Sequence, residues 1–444
     1  MAGQHATESM QRAQWQRAPL SIAAFRYLRW AFVAPSLRPG PSMVADPFDK
    51  MSRMPAERNA IYFVGAGFSR ALAKGRNVPP LLTDFIARMA DAIDDDTIAV
   101  ALAGMYRDAL LSADTPHVSP ATVHALADGP VAARTPSRRT EFALAIKSVA
   151  QPDVESLLAT EAAKATMSNA RFRFAISRMF HRMSWDLNLG CLRRLIRARR
   201  RSGIGAHSIV TFNYDLILEH VLEEEVGWNG ANGYGLEMPF GVFVDAFDKH
   251  ADTVNQHDVG VAPRLDAVPL HATRAQPEWT VLKPHGSLNW LRRSKAGGQH
   301  ERLLVVAPST RVAYPVADSY MNISVPGRMP GAFNIQLVAP EESKVGLADV
   351  LALESQALES THEVWVIGWS VPQTDRDQRA LIRAAVARRS RPIDRLVVVN
   401  LNAPDDYFTD VAGLFGVGEA LVERHNRGLL CFCRLCLMKE PHLA

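Results

Sequence analysis

The sequence predicts an α/β protein: a doubly wound, mainly parallel, Rossmann-like sheet carrying a large helical insertion. Three observations carry that prediction. Five short runs of bulky residues recur along the 444-residue chain, at Ile61–Val64, Ser208–Phe212, Trp279–Leu282, Val364–Ile367 and Leu396–Val399. Near-continuous hydrophobicity of this kind suits strands covered on both faces, as parallel strands are. Each run ends in small or polar residues, among them Gly65, Asn213, His285, Gly368 and Asn400, and such groups collect on the carboxyl edge of an open α/β sheet, its usual ligand side. Finally, about 78–202 holds Ala-rich helical segments and no convincing strand, which reads as a cap or small domain inserted into the sheet.

Taken in order, the elements begin after a leader. Residues 1–58 read as flexible: positions 9–45 contain several arginines, no Asp or Glu, and prolines at 35, 39 and 41. The apolar run Leu20–Val33 is broken by Arg26 and Arg29, so it is too short and too charged to span a bilayer. It lacks the clean apolar core of a signal peptide. Its Arg-rich, acid-poor composition is shared with mitochondrial transit segments, although a flexible leader or a little-used upstream start is favoured, with Met43, Met51 or Met54 able to begin a complete domain. No other stretch is apolar enough to cross a membrane, and the expected location is the cytoplasm. A formal charge of +4 over this length says little about partners.

The first strand runs straight into Gly65-Ala66-Gly67-Phe68-Ser69. Two glycines remove two Cβ atoms where the chain turns sharply and let a ligand lie against the backbone. In a dinucleotide fold that is where a pyrophosphate meets helix N–H groups, but here Arg70 replaces the third glycine of the G-x-G-x-x-G pattern. A helix with Phe85, Ile86, Met89 and Ile93 on one face follows Pro79-Pro80. Breaks are expected at Thr115-Pro116, Asp128-Gly129-Pro130 and Gln151-Pro152. The last insertion helix ends in Arg193, Arg194, Arg197, Arg199, Arg200 and Arg201, then Gly203. These arginines complement the helix dipole, with Gly203 as the cap; phosphate contact with nucleic acid is the less favoured alternative.

The second strand is followed at once by Asn213-Tyr214-Asp215 and a helix from Leu216. Asn213 either caps that helix or serves the ligand edge. Residues 223–278 and 292–345 read as loop-rich insertions, the second with short strands such as Leu303–Val306, and His250, His257 and His271 lack metal-ligand spacing. His285 ends the third strand, where an imidazole is suited to act as a base, or is simply structural. Helices are expected over about 347–359 and 377–389. Cys431, Cys433 and Cys436 form a single cluster in a tail at 431–444, far from Cys191. Reduced thiols are therefore expected, with neither a zinc site nor a disulfide framework.

These motifs together resemble the sirtuins. Gly65-Ala66-Gly67-Phe68-Ser69 is similar to the family's Gly-Ala-Gly-x-Ser, Thr211-Phe212-Asn213-Tyr214-Asp215 to Thr-Gln-Asn-Ile-Asp, and Pro284-His285-Gly286-Ser287 to Leu-His-Gly-Ser. Gly368-Trp369-Ser370 looks like its Gly-Thr-Ser, and Val399-Asn400 like its late Ile-Asn. The order is the family's, over residues 60–402. The longer forms Asn213-Tyr214-Asp215 with Glu219, His285 to Trp290, and Gly368 to Asp375 resemble the bacterial branch without a zinc ribbon, whose members deplete NAD in antiphage defence. No cysteine lies in 286–345, where deacylases carry that ribbon, and their Gly-Ile-Pro-Asp-Phe-Arg loop has only a loose counterpart at Pro80 to Phe85.

The resemblance implies a domain over 59–430 that is an NAD glycohydrolase, with NAD as its substrate and no metal. It implies that Asn213 holds water and ribose, that Asp215 meets the nicotinamide carboxamide, and that His285 is the base at the ribose hydroxyls. Gly65, Ala66, Gly67, Phe68 and Ser69 would lie along the diphosphate, with Gly368 and Ser370 nearby, and Asn400 at the adenosine ribose. The partners left open are a second copy of the chain and a defence-system protein or phage trigger; membrane and nucleic acid are not expected. The rival readings are a protein deacylase or ADP-ribosyltransferase, and a non-enzymatic sensor of NAD or ADP-ribose.

Overall fold

The computed structural model describes residues 58–74, 78–112, 119–127, 135–148, 187–230, 233–235, 240–244, 264–268, 278–293, 304–306, 333–337, 347–373 and 375–435, together with 172, 173, 175, 176, 179 and 180. The leader up to residue 57, the three expected breaks, His250, His257, His271 and Cys436 lie outside the described residues.

Along the chain, β1 (Arg58–Val64) leads into α1 (Ala66–Leu72). The insertion supplies α2 (Phe85–Asp91), α3 (Asp96–Ser112), α4 (Pro120–Ala127), α5 (Pro136–Ser148) and α6 (Gly190–Arg200). Next come β2 (Ile204–Thr211), α7 (Ile217–Val226), β3 (Phe240–Val244), β4 (Arg264–Val268), β5 (Trp279–Leu282) and β6 (Gly286–Arg293). β7 (Leu304–Val306) and β8 (Phe333–Leu337) precede α8 (Ala348–Ser360). The described part closes with β9 (Glu363–Ile367), α9 (Arg376–Ala387), β10 (Arg395–Val399), α10 (Asp405–Leu414), β11 (Val422–His425) and α11 (Gly428–Leu435).

The main sheet has the order β11-β10-β9-β1-β2-β5 with every pair parallel. From the central β1 the chain winds outward through β2 and β5, then returns to the other side through β9, β10 and β11. The reversal between β1 and β9 is a topological switch point, where open α/β sheets leave a crevice at the carboxyl ends of the strands. The five expected strands are all present. β11 is an addition: its Val-Glu-Arg-His sequence is half-exposed on the sheet edge and has no apolar run to announce it.

Both faces of the sheet are covered, which is why the strands read as solid apolar runs. On β1, Phe63 stacks near Trp369 and Phe415, while its neighbour Tyr62 meets Trp365 and Arg199 of α6 on the opposite face. Each such fully buried aromatic contributes roughly 1.5–3 kcal/mol. The helical insertion has a second apolar cluster of its own, including Phe85, Met89, Phe142, Phe172 and Ile176. Tyr214, Leu216 and Leu288 of the sheet domain belong to that cluster and seat the insertion beside the carboxyl edge.

The stretch 223–278 differs from expectation by holding two strands, whereas β7 is the short strand expected at Leu303–Val306. β3 and β4 from that stretch, β7 and β8 from 292–345, and β6 between them form a second five-stranded sheet, order β4-β3-β7-β6-β8. Most of its pairs are antiparallel. The partners come from segments far apart in sequence, so no local hairpin signal marks them.

The cysteines also differ. Cys191 of α6 and Cys433 of α11 form a disulfide, with Cα atoms 5.8 Å apart. A separation of 242 residues carries no spacing signal, and only the packing of α11 on α6 brings the pair together. The tail expected from 431 accordingly begins inside α11, where Phe432 and Cys433 are buried.

Three of the α6 arginines are engaged in ion pairs. Arg193 and Arg197 pair with Glu224 and Glu225 of α7, and buried Arg199 bonds Glu363 at 2.7 Å. Gly203 does adopt the left-handed conformation, φ 72°, just past the helix end.

Candidate functional site

A cavity of about 770 Å³ opens at the switch point, within the size range of small-molecule sites. Every residue singled out from the sequence lines it: Gly65, Ala66, Gly67, Phe68, Ser69, Asn213, Asp215, His285, Gly368, Ser370 and Asn400. They come from the turns after β1, β2, β5, β9 and β10, whose parallel alignment ends them all on one edge.

The turns after β1 and β9 are locked face to face. Gly65 N donates to Ile367 O, and Gly67 N donates to Gly368 O at 2.9 Å. A Cβ on Gly65 would lie 2.5 Å from Trp369 Cα, and one on Gly368, where φ is +59°, would lie 2.3 Å from Phe68 N. With no side chain at these glycines, the two backbone turns can interlock. The N–H groups of Gly65, Gly67 and Phe68 are all engaged with protein carbonyls, and the Phe68 ring is buried. Exposed Ser370 and Arg427 also line the cavity.

Across this turn runs a buried chain of polar side chains. Asn213 Nδ2 donates to Gly65 O at 3.0 Å and Ser69 Oγ at 2.9 Å, and Ser69 Oγ donates to Asp215 Oδ2 at 2.7 Å. Asn213 does not cap α7; Asp215 Oδ1 does that work by accepting the Ile217 N–H at 3.1 Å. Burial raises the Asp215 carboxyl above its ordinary range, opposed chiefly by the nearby Lys283 ammonium.

Lys283, directly before Pro284-His285, is a structural part of the site that the sequence analysis did not single out. It is fully buried, bonds Glu219 Oε1 at 2.8 Å, and donates to the carbonyl of Asp215 at 2.5 Å. Tyr234 donates to the same Glu219 oxygen at 3.1 Å. This group ties the 213–217 turn to the turn carrying His285.

His285 is 3% exposed, and its Nε2 lies 3.2 Å from Asp375 Oδ2, itself 1% exposed. Its ring also meets Phe212, which stacks on Trp369 at 4.4 Å between ring centres. The cavity thus has an aromatic floor beside its imidazole. The opposite wall comes from the insertion, through Pro79, Pro80, Leu81, Thr83, Phe85 and Phe180. Arg70, standing where a third glycine is absent, fixes that wall: its Nη1 bonds Asp84 Oδ2 at 2.6 Å. The pair is partly exposed, so its contribution is at most about 1 kcal/mol.

Sequence reasoning missed Asp375, Trp369, Phe212, Arg427 and the insertion wall as site groups. Asp375, Trp369 and Phe212 had a signal, since all three lie within motifs already noted. Arg427 had none, because it depends on the unannounced β11.

Chemically, the arrangement offers a small-molecule cleft with a buried imidazole–carboxylate pair, a buried Asn–Ser–Asp chain and cationic Arg427 at an exposed position. Among the described residues no group of three or more His, Cys, Asp or Glu is placed to hold a metal, and no helix is long and apolar enough to cross a membrane.

No protein-family model matches the chain, and no curated protein matches it. Three solved structures are similar to it. One is a Sir2 homologue mutant in complex with ADP-ribose, at 10% identity, covering 86% of this chain and 95% of that one, TM-score 0.33. Another is Sir2Tm bound to a propionylated peptide, at 14% identity, covering 66% and 87%, TM-score 0.33. The third is a Sir2 homologue triple mutant with 2′-O-acetyl ADP-ribose, at 11% identity, covering 87% and 95%, TM-score 0.31. Similarity at that level carries no argument about ligand or reaction, and the α/β class of this chain rests on its own strand pairing.

Proposed function

We propose that this chain is a sirtuin-like NAD glycohydrolase, cleaving the nicotinamide–ribose bond to give nicotinamide and ADP-ribose. The observation that carries the reading is the convergence of five separated sirtuin-like motifs on one cavity at the switch point. The reaction suits such a site. Nicotinamide departs as a neutral molecule from a cationic pyridinium, through a transition state resembling an oxocarbenium ion. The protein must hold the ribose, exclude bulk water and position one water at C1′.

In this reading Asn213, its Nδ2 committed to Gly65 and Ser69, offers Oδ1 to the attacking water. Asp215 accepts from the carboxamide, and His285 takes a proton from a ribose hydroxyl. Asn400 meets the adenosine ribose, and Ser370 and Arg427 serve the diphosphate. The Cys191–Cys433 disulfide removes two of the four cysteines that a zinc ribbon would need. This favours hydrolysis over peptide deacylation. Depletion of NAD in antiphage defence is the role proposed for that activity.

The test is incubation of the purified chain with NAD, followed by chromatography for nicotinamide and ADP-ribose, with and without an acylated peptide. Equal release of both products without peptide is expected, and a loss of about 100- to 10,000-fold in His285→Ala. Nicotinamide release only with the peptide would establish the deacylase instead. Binding without turnover in every preparation would establish the sensor.

A further inference from the structure

We propose that Asp375 is the positioning residue of His285: a buried carboxylate that fixes the imidazole's tautomer and stabilises its protonated form. The inference rests on the NAD-cleaving reading of the cavity. The two side chains come from segments 90 residues apart, and meet at 3.2 Å between Nε2 and Oδ2 with neither open to solvent. A carboxylate accepts only, so the hydrogen in this bond is on Nε2. In that tautomer Nδ1 carries the lone pair of the ring.

The loop that delivers Asp375 is braced for the purpose. Val371 sits at φ 51°, an uncommon conformation for a β-branched residue, and such backbone persists only where its surroundings hold it. The hold is buried Arg379. Its Nη1 donates to Val371 O at 3.2 Å, and its guanidinium makes two bonds to Asp410 at 2.9 and 2.7 Å. Asp375 itself stands at the start of α9, with its N–H on Pro372 O and its carbonyl on Arg379 N. These five hydrogen bonds hold the backbone around Asp375, whose carboxylate makes no cap bond of its own to α9.

During cleavage the C1′–N bond breaks and nicotinamide leaves with its electron pair, while a water oxygen bonds to C1′. The ribose hydroxyl gives its proton to Nδ1 and takes one from that water, so the ribose ends unchanged and the ring holds the single proton released. The ring is then imidazolium, and Asp375 keeps its negative charge opposite it. No proton passes to the carboxylate. Without that carboxylate the tautomer is no longer set.

The experiment compares the full-length wild type with Asp375→Asn. It uses ¹⁵N-histidine spectra across pH, with the His285 signal identified by its loss in His285→Gln, and NAD cleavage kinetics. In the wild type, the neutral ring should carry its proton on Nε2. In Asp375→Asn that tautomer preference should be lost, because an amide can either accept from Nε2 or donate to it. kcat should fall by about 100- to 10,000-fold with KM changed only a few-fold. The same tautomer in the two proteins overturns the proposal, as does an unchanged kcat. A wild type that cleaves no NAD overturns the glycohydrolase reading, and the tautomer then judges the His285–Asp375 pair by itself. Should Asp375→Asn fail to fold, Asp375→Ser keeps a helix-starting residue and removes the reach to His285.

Discussion

Lys283 and Glu219 form a fully buried ion pair directly behind the cavity. At 2.8 Å and an effective dielectric constant of about 20, their attraction is about 6 kcal/mol. In the folded state it offsets the cost of removing two charges from water. Lys283→Met strands Glu219 without its cation and also removes the 2.5 Å bond to the Asp215 carbonyl. Breaking a buried pair from one side costs about 3–5 kcal/mol, so a loss of that size is expected in urea unfolding. Lys283→Met combined with Glu219→Gln removes both charges and keeps an acceptor for Tyr234, and should recover at least half of that loss. Turnover should not recover with it, because Asp215 still lacks the ammonium that braces its carbonyl and lowers its carboxyl. The assays are urea unfolding and NAD cleavage on the same preparations. A single variant within about 1 kcal/mol of wild type would refute the buried-pair reasoning. A double variant with full activity would refute the role given to Lys283 in holding the site.

Two further outcomes are expected. His207 is buried and pushed down to about 3, first by desolvation and then by the charge of Arg199. The unfolded imidazole, near 6.5, therefore binds a proton that the folded one refuses, and stability falls as the pH drops from about 6.5 toward 3. The share due to His207 is about 2 kcal/mol between pH 7 and pH 5. The stability difference between wild type and His207→Gln should change by that amount, and a flat difference would remove His207 from the account. The Cys191–Cys433 disulfide closes a long loop and holds α11, whose Leu429 and Leu430 line the cavity. Cys433→Ser should lower unfolding stability by about 2–5 kcal/mol and weaken NAD binding by calorimetry; unchanged values on both counts would show that α11 needs no covalent hold.

Much of the fold was legible in the chain because parallel strands buried on both faces leave unbroken apolar runs. Ile61–Val64, Val364–Ile367 and Leu396–Val399 are of this kind, and each was found. The site was legible for a related reason: parallel strands end on one edge, so the residues after each run had to converge. Gly65, Asn213, His285, Gly368 and Asn400 do line one cavity. What was not legible depends on partners remote in sequence. β3, β4 and β8 pair across insertions, β11 is a short polar edge strand, and Cys191 finds Cys433 only through helix packing.

By itself, the sequence determined the α/β class, the central parallel strands and the set of residues at their carboxyl ends, since periodicity and strand termination are local properties. Only the tertiary structure decided what those residues do to one another. Gly65 and Gly368 turned out to serve an interlock of two turns, Arg199 a buried pair, and His285 a bond to Asp375. Those are distances between atoms far apart in the chain, and packing alone sets them.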